Sequence, residues 1–317
     1  MGDCRMPIYN KTEVGRMAQQ HGFVRDTFEK VLRLKEILLY INSHEYLREH
    51  LLLKGGTAIN LSIFNLPRLS VDIDMDYTPN NKREDMQRMR EKITALITAY
   101  MESEGYHFLE SSRFTHSLDA FHFQYRNCGG NKDMIKLELN YSLRAHIFEP
   151  VHRRIMSDVF DDTGMIRMVA PMEIFAAKGN ALISRAAARD LYDWGNLIEG
   201  NLFAEDRDMF RKSFAFYASV SAEKINRTFD TSAIDLLHFD KIRRDLFPVL
   251  SKKDNFKLEE RKQQAKDYIA KLMQLTEKEN EYMDRFVAKE YRPELLFEDE
   301  EIVERLKSHP MALWKCR

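Results

Sequence analysis

Cysteine is scarce: Cys4, Cys128 and Cys316 are the only three in 317 residues, and they stand far apart. That spacing excludes a disulfide framework and a thiolate metal site, and it suits a reducing cytoplasm. Glycine and proline are few, at 12 and 8. This argues for helix-rich structure with short connections and against low-complexity linkers. No apolar run reaches membrane-spanning length, and no apolar signal core follows Met1, so the expectation is a cytoplasmic protein without a membrane partner. A charge excess of one sign is also missing. Lysine plus arginine (49) nearly cancels aspartate plus glutamate (50), leaving a formal net charge of -1. That excludes a nonspecific nucleic-acid coat and leaves room only for a local basic groove. Hydrophobic residues make up 44% of the chain, enough for two domains or one large one with a true core.

Periodicity divides the chain. Residues 1–21 are polar and read as partly loose. Helical spacing of Phe28, Leu32, Lys35, Leu38 and Ile41 follows. Leu51-Leu52-Leu53 reads as a short buried strand and Thr57–Phe64 as a helix. Leu69–Tyr77 alternates, with Val71, Ile73 and Met75 on one face and Ser70, Asp72, Asp74 and Asp76 on the other. Residues 80–100 form an amphipathic helix. Phe121–Tyr125 and Ile135–Asn140 alternate again, joined by a hairpin loop at residues 128–132. After Pro171 strand signals fade. Residues 172–198 read as helix with a break at 185–188, and the rest to Trp314 as mostly helix, including a long amphipathic stretch over 258–287. The reading is α+β: residues 1–168 hold N-terminal helices and a small mixed sheet, and residues 169–317 a helical domain forming the other wall of a cleft. The alternative is one continuous domain with the helices packed directly on the sheet.

The chemistry concentrates in Lys54-Gly55-Gly56-Thr57 and Ser70-Val71-Asp72-Ile73-Asp74. Two carboxylates two residues apart on a strand leave the same face, about 7 Å apart along the chain. Such a pair can flank divalent ions that neutralise a triphosphate. Glu138 is the natural third acid if its strand neighbours the first, and Lys136 then stands beside it. Gly55 and Gly56 permit backbone angles closed to other residues and let a phosphate approach, while Thr57 can cap the helix that follows. A Gly-Gly-Thr turn or an Asp-X-Asp alone says little; together, with a third acid, they point to nucleotidyl transfer. Asp76 reads as a solvated strand end, and His122 as a surface or hydrogen-bonded residue.

At these residues the chain resembles the polymerase-beta-like nucleotidyltransferase superfamily, and within it the AbiEii/AbiGii toxin family. Residues 54–58 with 68–74 resemble that family's first motif, Lys136–Asn140 with Arg144 its next block, and Lys178, Arg185 and Arg189–Asp193 a later one. The similarity spans about residues 50–200. Two features depart from the superfamily at large: Gly55-Gly56 replaces a Gly-Ser turn, and the gap to Asp-X-Asp is longer, as is usual in the toxin branch. Glu138 stands where many relatives carry aspartate. The resemblance implies that Asp72, Asp74 and Glu138 bind Mg2+ or Mn2+. It implies that Lys54, Gly55, Gly56, Thr57, Ser70, Lys136 and Arg144 line the nucleoside triphosphate. Lys178 would contact phosphate or base, and Asp190, or Asp193, would be the late-motif acid. Read by themselves, Asp190 and Asp193 fit a helix N-cap and a first-turn acid, Lys178, Arg185 and Arg189 fit a solvated basic stripe, and Arg144 fits a salt bridge as well as a phosphate contact.

The expected activity is that of a metal-dependent toxin of a toxin–antitoxin, or abortive-infection, module. It would transfer nucleotides to RNA, at the tRNA 3′ end, and have a cognate antitoxin protein as partner. Lys241, Arg243, Arg244, Lys252, Lys253, Lys257, Arg261 and Lys262 could meet an RNA backbone or be a solvated face. Competing readings are an enzyme that nucleotidylates or phosphorylates protein, with its own Ser70 as an acceptor, and a nucleotide-binding regulator without turnover.

Overall fold

The computed structural model describes residues 9–155, 160, 164–221 and 224–317. Cys4 lies outside them; Cys128 and Cys316 are free thiols. The chain divides into two compact units. One comprises residues 1–144, 151–168 and 249–253, and the other residues 145–150, 169–248 and 254–317. No helix among the described residues is long and apolar enough to cross a membrane.

The first unit is built on a mixed sheet. Its strands are β1 (Leu51–Lys54), β2 (Asp72–Tyr77), β3 (His107–Phe108), β4 (Arg113–Phe114), β5 (Leu118–Arg126), β6 (Lys132–Asn140), β7 (Val151–Arg154) and β8 (Met165–Met168). Their order is β3-β5-β6-β2-β1-β8-β7, with β4 paired to β5. β2 runs parallel to β6 and β1 parallel to β8, while the β1–β2 and β5–β6 pairs are antiparallel. Alternation explains the burial. Ile73, Met75, Phe121, Phe123, Ile135, Leu137 and Leu139 are all essentially inaccessible on their shared sides. The short β3, β4, β7 and β8 were not legible as strands, because two to four residues carry too little periodicity.

Among the described residues, five α-helices accompany the sheet, α1 (Lys11–His21), α2 (Arg25–Ser43), α3 (Glu45–His50), α4 (Gly55–Ala58) and α5 (Arg83–Ser103), with a π-helical segment over Ile59–Ile63 continuing α4. The expectation of a loose N-terminus fails for residues 11–21. Asn10 caps α1 by accepting from the amides of Thr12 and Glu13, and Val14 and Ala18 are buried. Residues 1–8 lie outside the described part.

The second unit is helical: α6 (Pro171–Arg185), α7 (Ala188–Glu199), α8 (Arg207–Val220), α9 (Ser232–Asp235), α10 (Phe239–Asp245), α11 (Leu258–Leu272), α12 (Glu277–Val287), α13 (Glu300–Lys307) and α14 (Pro310–Lys315). Its core gathers Phe175, Trp194, Phe210, Phe214 and Phe216, all fully buried. The break read at residues 185–188 is present: Ala186 takes left-handed angles (φ 46°) between α6 and α7. The long amphipathic stretch over 258–287 is two helices, α11 and α12. Thr276 forms a capping box with Glu279 and starts α12 afresh, a signal that outranks the continuous apolar stripe.

Candidate active site

β1 is apolar for three residues and ends on Lys54, after which the chain turns sharply at Gly55 (φ 71°) into α4. Only glycine fits there. A Cβ on Gly55 would lie 2.7 Å from Asp74 Oδ2, and one on Gly56 would lie 2.8 Å from Arg68 Nη2 and 2.9 Å from Ser70 Oγ. The turn backbone therefore lies against the acidic strand. Thr57 does not cap α4. It is buried inside the helix, its hydroxyl within hydrogen-bonding distance of Ser70 Oγ (2.9 Å) and of the Asp72 carbonyl. Lys54 holds the cap position, with no side-chain capping bond. Thr57 and Ser70 thus tie the turn to β2, and Ser70 is itself buried.

The strand register assembles the acids. Asp74 is paired with Glu138 and Asp72 with Lys136 across the parallel β2–β6 ladder, and Lys54 is paired with Asp74 across β1–β2. Paired residues on neighbouring strands project to the same face, about 4.8 Å apart at the backbone. Asp72, Asp74, Asp76, Glu138, Lys54 and Lys136 accordingly share one face of the sheet. Lys136 Nζ meets Glu138 Oε1 at 2.8 Å. Burial, Glu138 and Asp72 push the Asp74 carboxyl up to about 6, burial contributing most, while Lys54 and Lys136 pull the other way. Lys136 is pulled down by burial but held above its ordinary value overall by its bond to Glu138. Among the described residues, no group of three His, Cys, Asp or Glu side chains is drawn close enough to hold a metal ion as it stands. Glu138 is engaged with Lys136 instead.

One expectation needs correction at this face. Asp76 is no solvated strand end: it is 3% exposed and ion-paired with Lys54. Its place on the Asp72–Asp74 face was visible in the alternation, but its partner on β1 was not. Arg144, half-buried just beyond β6, makes no ion pair or hydrogen bond among the described residues, and its Nε is buried without an acceptor. Burial lowers its pKa, with Tyr77 opposing. The salt-bridge alternative therefore falls away. His122 is hydrogen-bonded through Nδ1 to Ser111 Oγ at 3.0 Å, as a bland residue would be.

The later block lies in the second unit. Lys178 Nζ on α6 reaches Asp190 Oδ1 at 2.7 Å and Asp193 Oδ2 at 2.9 Å, both on α7. Its side chain is 12% exposed, so it belongs to no solvated stripe. Asp190 sits in the first turn of α7 without capping it; Ala187 holds that place. Arg185 is mostly exposed, 3.6 Å from Asp190 Oδ2, and Arg189 donates to the Asp245 carbonyl at 2.9 Å. The basic run further on is largely spoken for. Arg243, Arg244, Lys257, Arg261 and Lys262 meet Asp240, Asp245, Glu260, Glu199 and Glu259, while Lys241 and Lys253 donate to carbonyls.

Compared with known proteins, residues 37–289 match the family described as nucleotidyl transferase AbiEii toxin, type IV TA system. No curated protein matches the sequence. Among solved structures the fold is similar to MenT4, a nucleotidyltransferase toxin from Mycobacterium tuberculosis H37Rv. The TM-score is 0.64 at 16% identity, covering 96% of this chain and 99% of that one. The acid face abutting a diglycine turn and the family match over most of the chain lead to one assignment: this chain belongs to the AbiEii family, nucleotidyltransferase toxins of type IV toxin–antitoxin systems.

Proposed function

We propose that the chain transfers a nucleotide from a nucleoside triphosphate to RNA, at the tRNA 3′ end, with a divalent cation bound at the acidic face of its sheet. One observation carries the reading: Asp72, Asp74 and Glu138 share a face through the β2–β6 register, directly against the Gly55-Gly56 backbone. The donor set suits Mg2+ or Mn2+, which take carboxylate oxygens. The charge balance suits it as well, since Asp74 is pushed up by burial first and then by its acidic neighbours Glu138 and Asp72. Asp72, Asp74 and Glu138 would hold the ion, Glu138 exchanging Lys136 for it. When bound, the ion supplies charge neutralisation of the triphosphate and polarisation of the attacking oxygen.

The remaining work falls to the chain's own groups. The glycine turn, braced by Thr57 and Ser70, admits a phosphate close to its backbone. Lys54 and Lys136 place positive charge on the same face, and Arg144 offers a guanidinium whose Nε still lacks an acceptor. The acceptor hydroxyl then bonds to the α-phosphorus as the bond from that phosphorus to the bridging oxygen breaks and pyrophosphate leaves, the hydroxyl proton passing to solvent. We assign Lys178 to nucleotide contact, and Asp190 with Asp193 to holding its ammonium. A cognate antitoxin is the expected partner, from the family. The tRNA acceptor rests on the family resemblance alone, because the basic run that suggested an RNA groove is mostly neutralised by its own carboxylates. Ser70 is a poor self-acceptor, being buried and hydrogen-bonded to Thr57.

The test incubates the full chain with total tRNA, Mg2+ and each labelled triphosphate in turn. Label is expected at the RNA 3′ end, falling by about 100-fold or more in Asp72→Ala. Transfer that survives Asp72→Ala, or no magnesium-dependent transfer at all, defeats the proposal. Label on the protein rather than RNA would move the acceptor to a protein hydroxyl.

A further inference from the structure

We propose that Asp76 is a positioning residue that holds the Lys54 ammonium away from Asp74 and so keeps Asp74 available to a divalent cation. The inference rests on the metal-dependent reading above. Lys54 stands directly across from Asp74 in the β1–β2 register, yet its ammonium pairs with Asp76, two residues further along β2. A flexible four-carbon arm on a face bearing Asp72, Asp74 and Asp76 will settle on whichever carboxylate offers the strongest pairing. Asp76 is 3% exposed and Lys54 only partly so, which shields the pair from water and strengthens it relative to a surface pair.

The alternative seat would be obstructive. Asp74 Oδ2 lies so close to the Gly55 backbone that a Cβ would stand 2.7 Å from it. An ammonium docked on that carboxylate would occupy the side of the acid that faces the turn, where the triphosphate reading needs an ion. Lys136, the other lysine of this face, is taken up by Glu138 at 2.8 Å. Asp76 therefore has a role that neither a ligand nor a solvated acid would have: it parks a cation that would otherwise compete for Asp74.

The test measures Mn2+ binding to the full chain by the loss of the free-ion EPR signal, without nucleotide. Wild type is expected to show a saturable site that Asp74→Asn abolishes. Asp76→Asn should release the ammonium onto Asp74 and weaken Mn2+ binding about tenfold. Asp76→Glu, which keeps an acceptor for Lys54, should restore it. The double variant Lys54→Met/Asp76→Asn, which leaves no buried unpaired charge, should bind within about threefold of wild type.

Unchanged affinity in Asp76→Asn, with the site still lost in Asp74→Asn, would overturn this inference and leave the transferase reading standing. No saturable site in wild type would overturn both. Should Asp76→Asn fail to fold by circular dichroism, the double variant decides. Binding about tenfold tighter than wild type would mean that Lys54 was already competing for Asp74, and binding about tenfold weaker that Asp76 acts by another route; either overturns the inference, and affinity near wild type supports it.

Discussion

Asp74 is the residue on which the face turns, and its charge is unfavourable in the folded chain without a cation. Its carboxyl is raised from 3.8 to about 6, first by burial and then by Glu138 and Asp72 against the pull of Lys54. Between those values the folded state holds a proton that the unfolded state releases. Stability from this group is therefore fully present below pH 3.8 and lost as pH rises through 6. Asp74→Asn removes the penalty. In chelator at pH 8 the variant should be more stable than wild type by about 1–2 kcal/mol, a value reduced because the side chain keeps part of its contact with water. The gap should close as pH falls from 6 to 4. Thermal melts across that range check it, and a variant less stable than wild type at pH 8 would contradict the account. Adding Mn2+ should reverse the order at pH 8, since only wild type would then gain binding energy.

At the scale of elements, the connection between α6 and α7 is held by charge rather than by apolar packing alone. The two helices separate at Ala186, and Lys178 bridges back from one to both acids of the other. Asp193 is fully buried and Asp190 nearly so. Lys178→Met would leave two carboxylates buried without their ammonium, at a cost of about 3–5 kcal/mol. Urea unfolding followed by circular dichroism should show this loss. A cost below about 1 kcal/mol would mean that the triad is solvated and weak. The sequence carried the helices here but not the tie. Lys178, Asp190 and Asp193 were legible as a block, and a single unbroken helix would have made a basic stripe of Lys178, Arg185 and Arg189. The left-handed residue between the helices is what turns Lys178 onto α7. The same limit applies to 258–287, where the apolar period continued through a Thr-X-X-Glu start that ends one helix and begins another.

Across the whole molecule, charge is balanced locally as well as in sum. The net charge of -1 has its counterpart in the pairing of Arg243, Arg244, Arg261 and Lys262 with neighbouring carboxylates. Few phosphate-ready cations remain along that run, so nonspecific affinity for duplex nucleic acid should be low. Binding of a random duplex should be weaker than about 10⁻⁴ M at physiological salt, at the weak limit of ordinary nonspecific binders. Fluorescence anisotropy against a salt series checks this. A tight complex with a steep salt slope would show that those pairs open in solution.

The sequence by itself determined the reaction class. Alternation put Asp72, Asp74 and Asp76 on one face and Lys136 and Glu138 on another, and a diglycine ahead of them marked a turn that no side chain could fill. Those are local properties, set by strand period and glycine's freedom. Only the tertiary structure decided how the strands meet. The parallel β2–β6 register brings Glu138 beside Asp74, the β1 pairing sends Lys54 to Asp76, and Arg144 meets no acid among the described residues. Such pairings join residues distant in the chain, and strand period alone cannot choose among the registers that satisfy it.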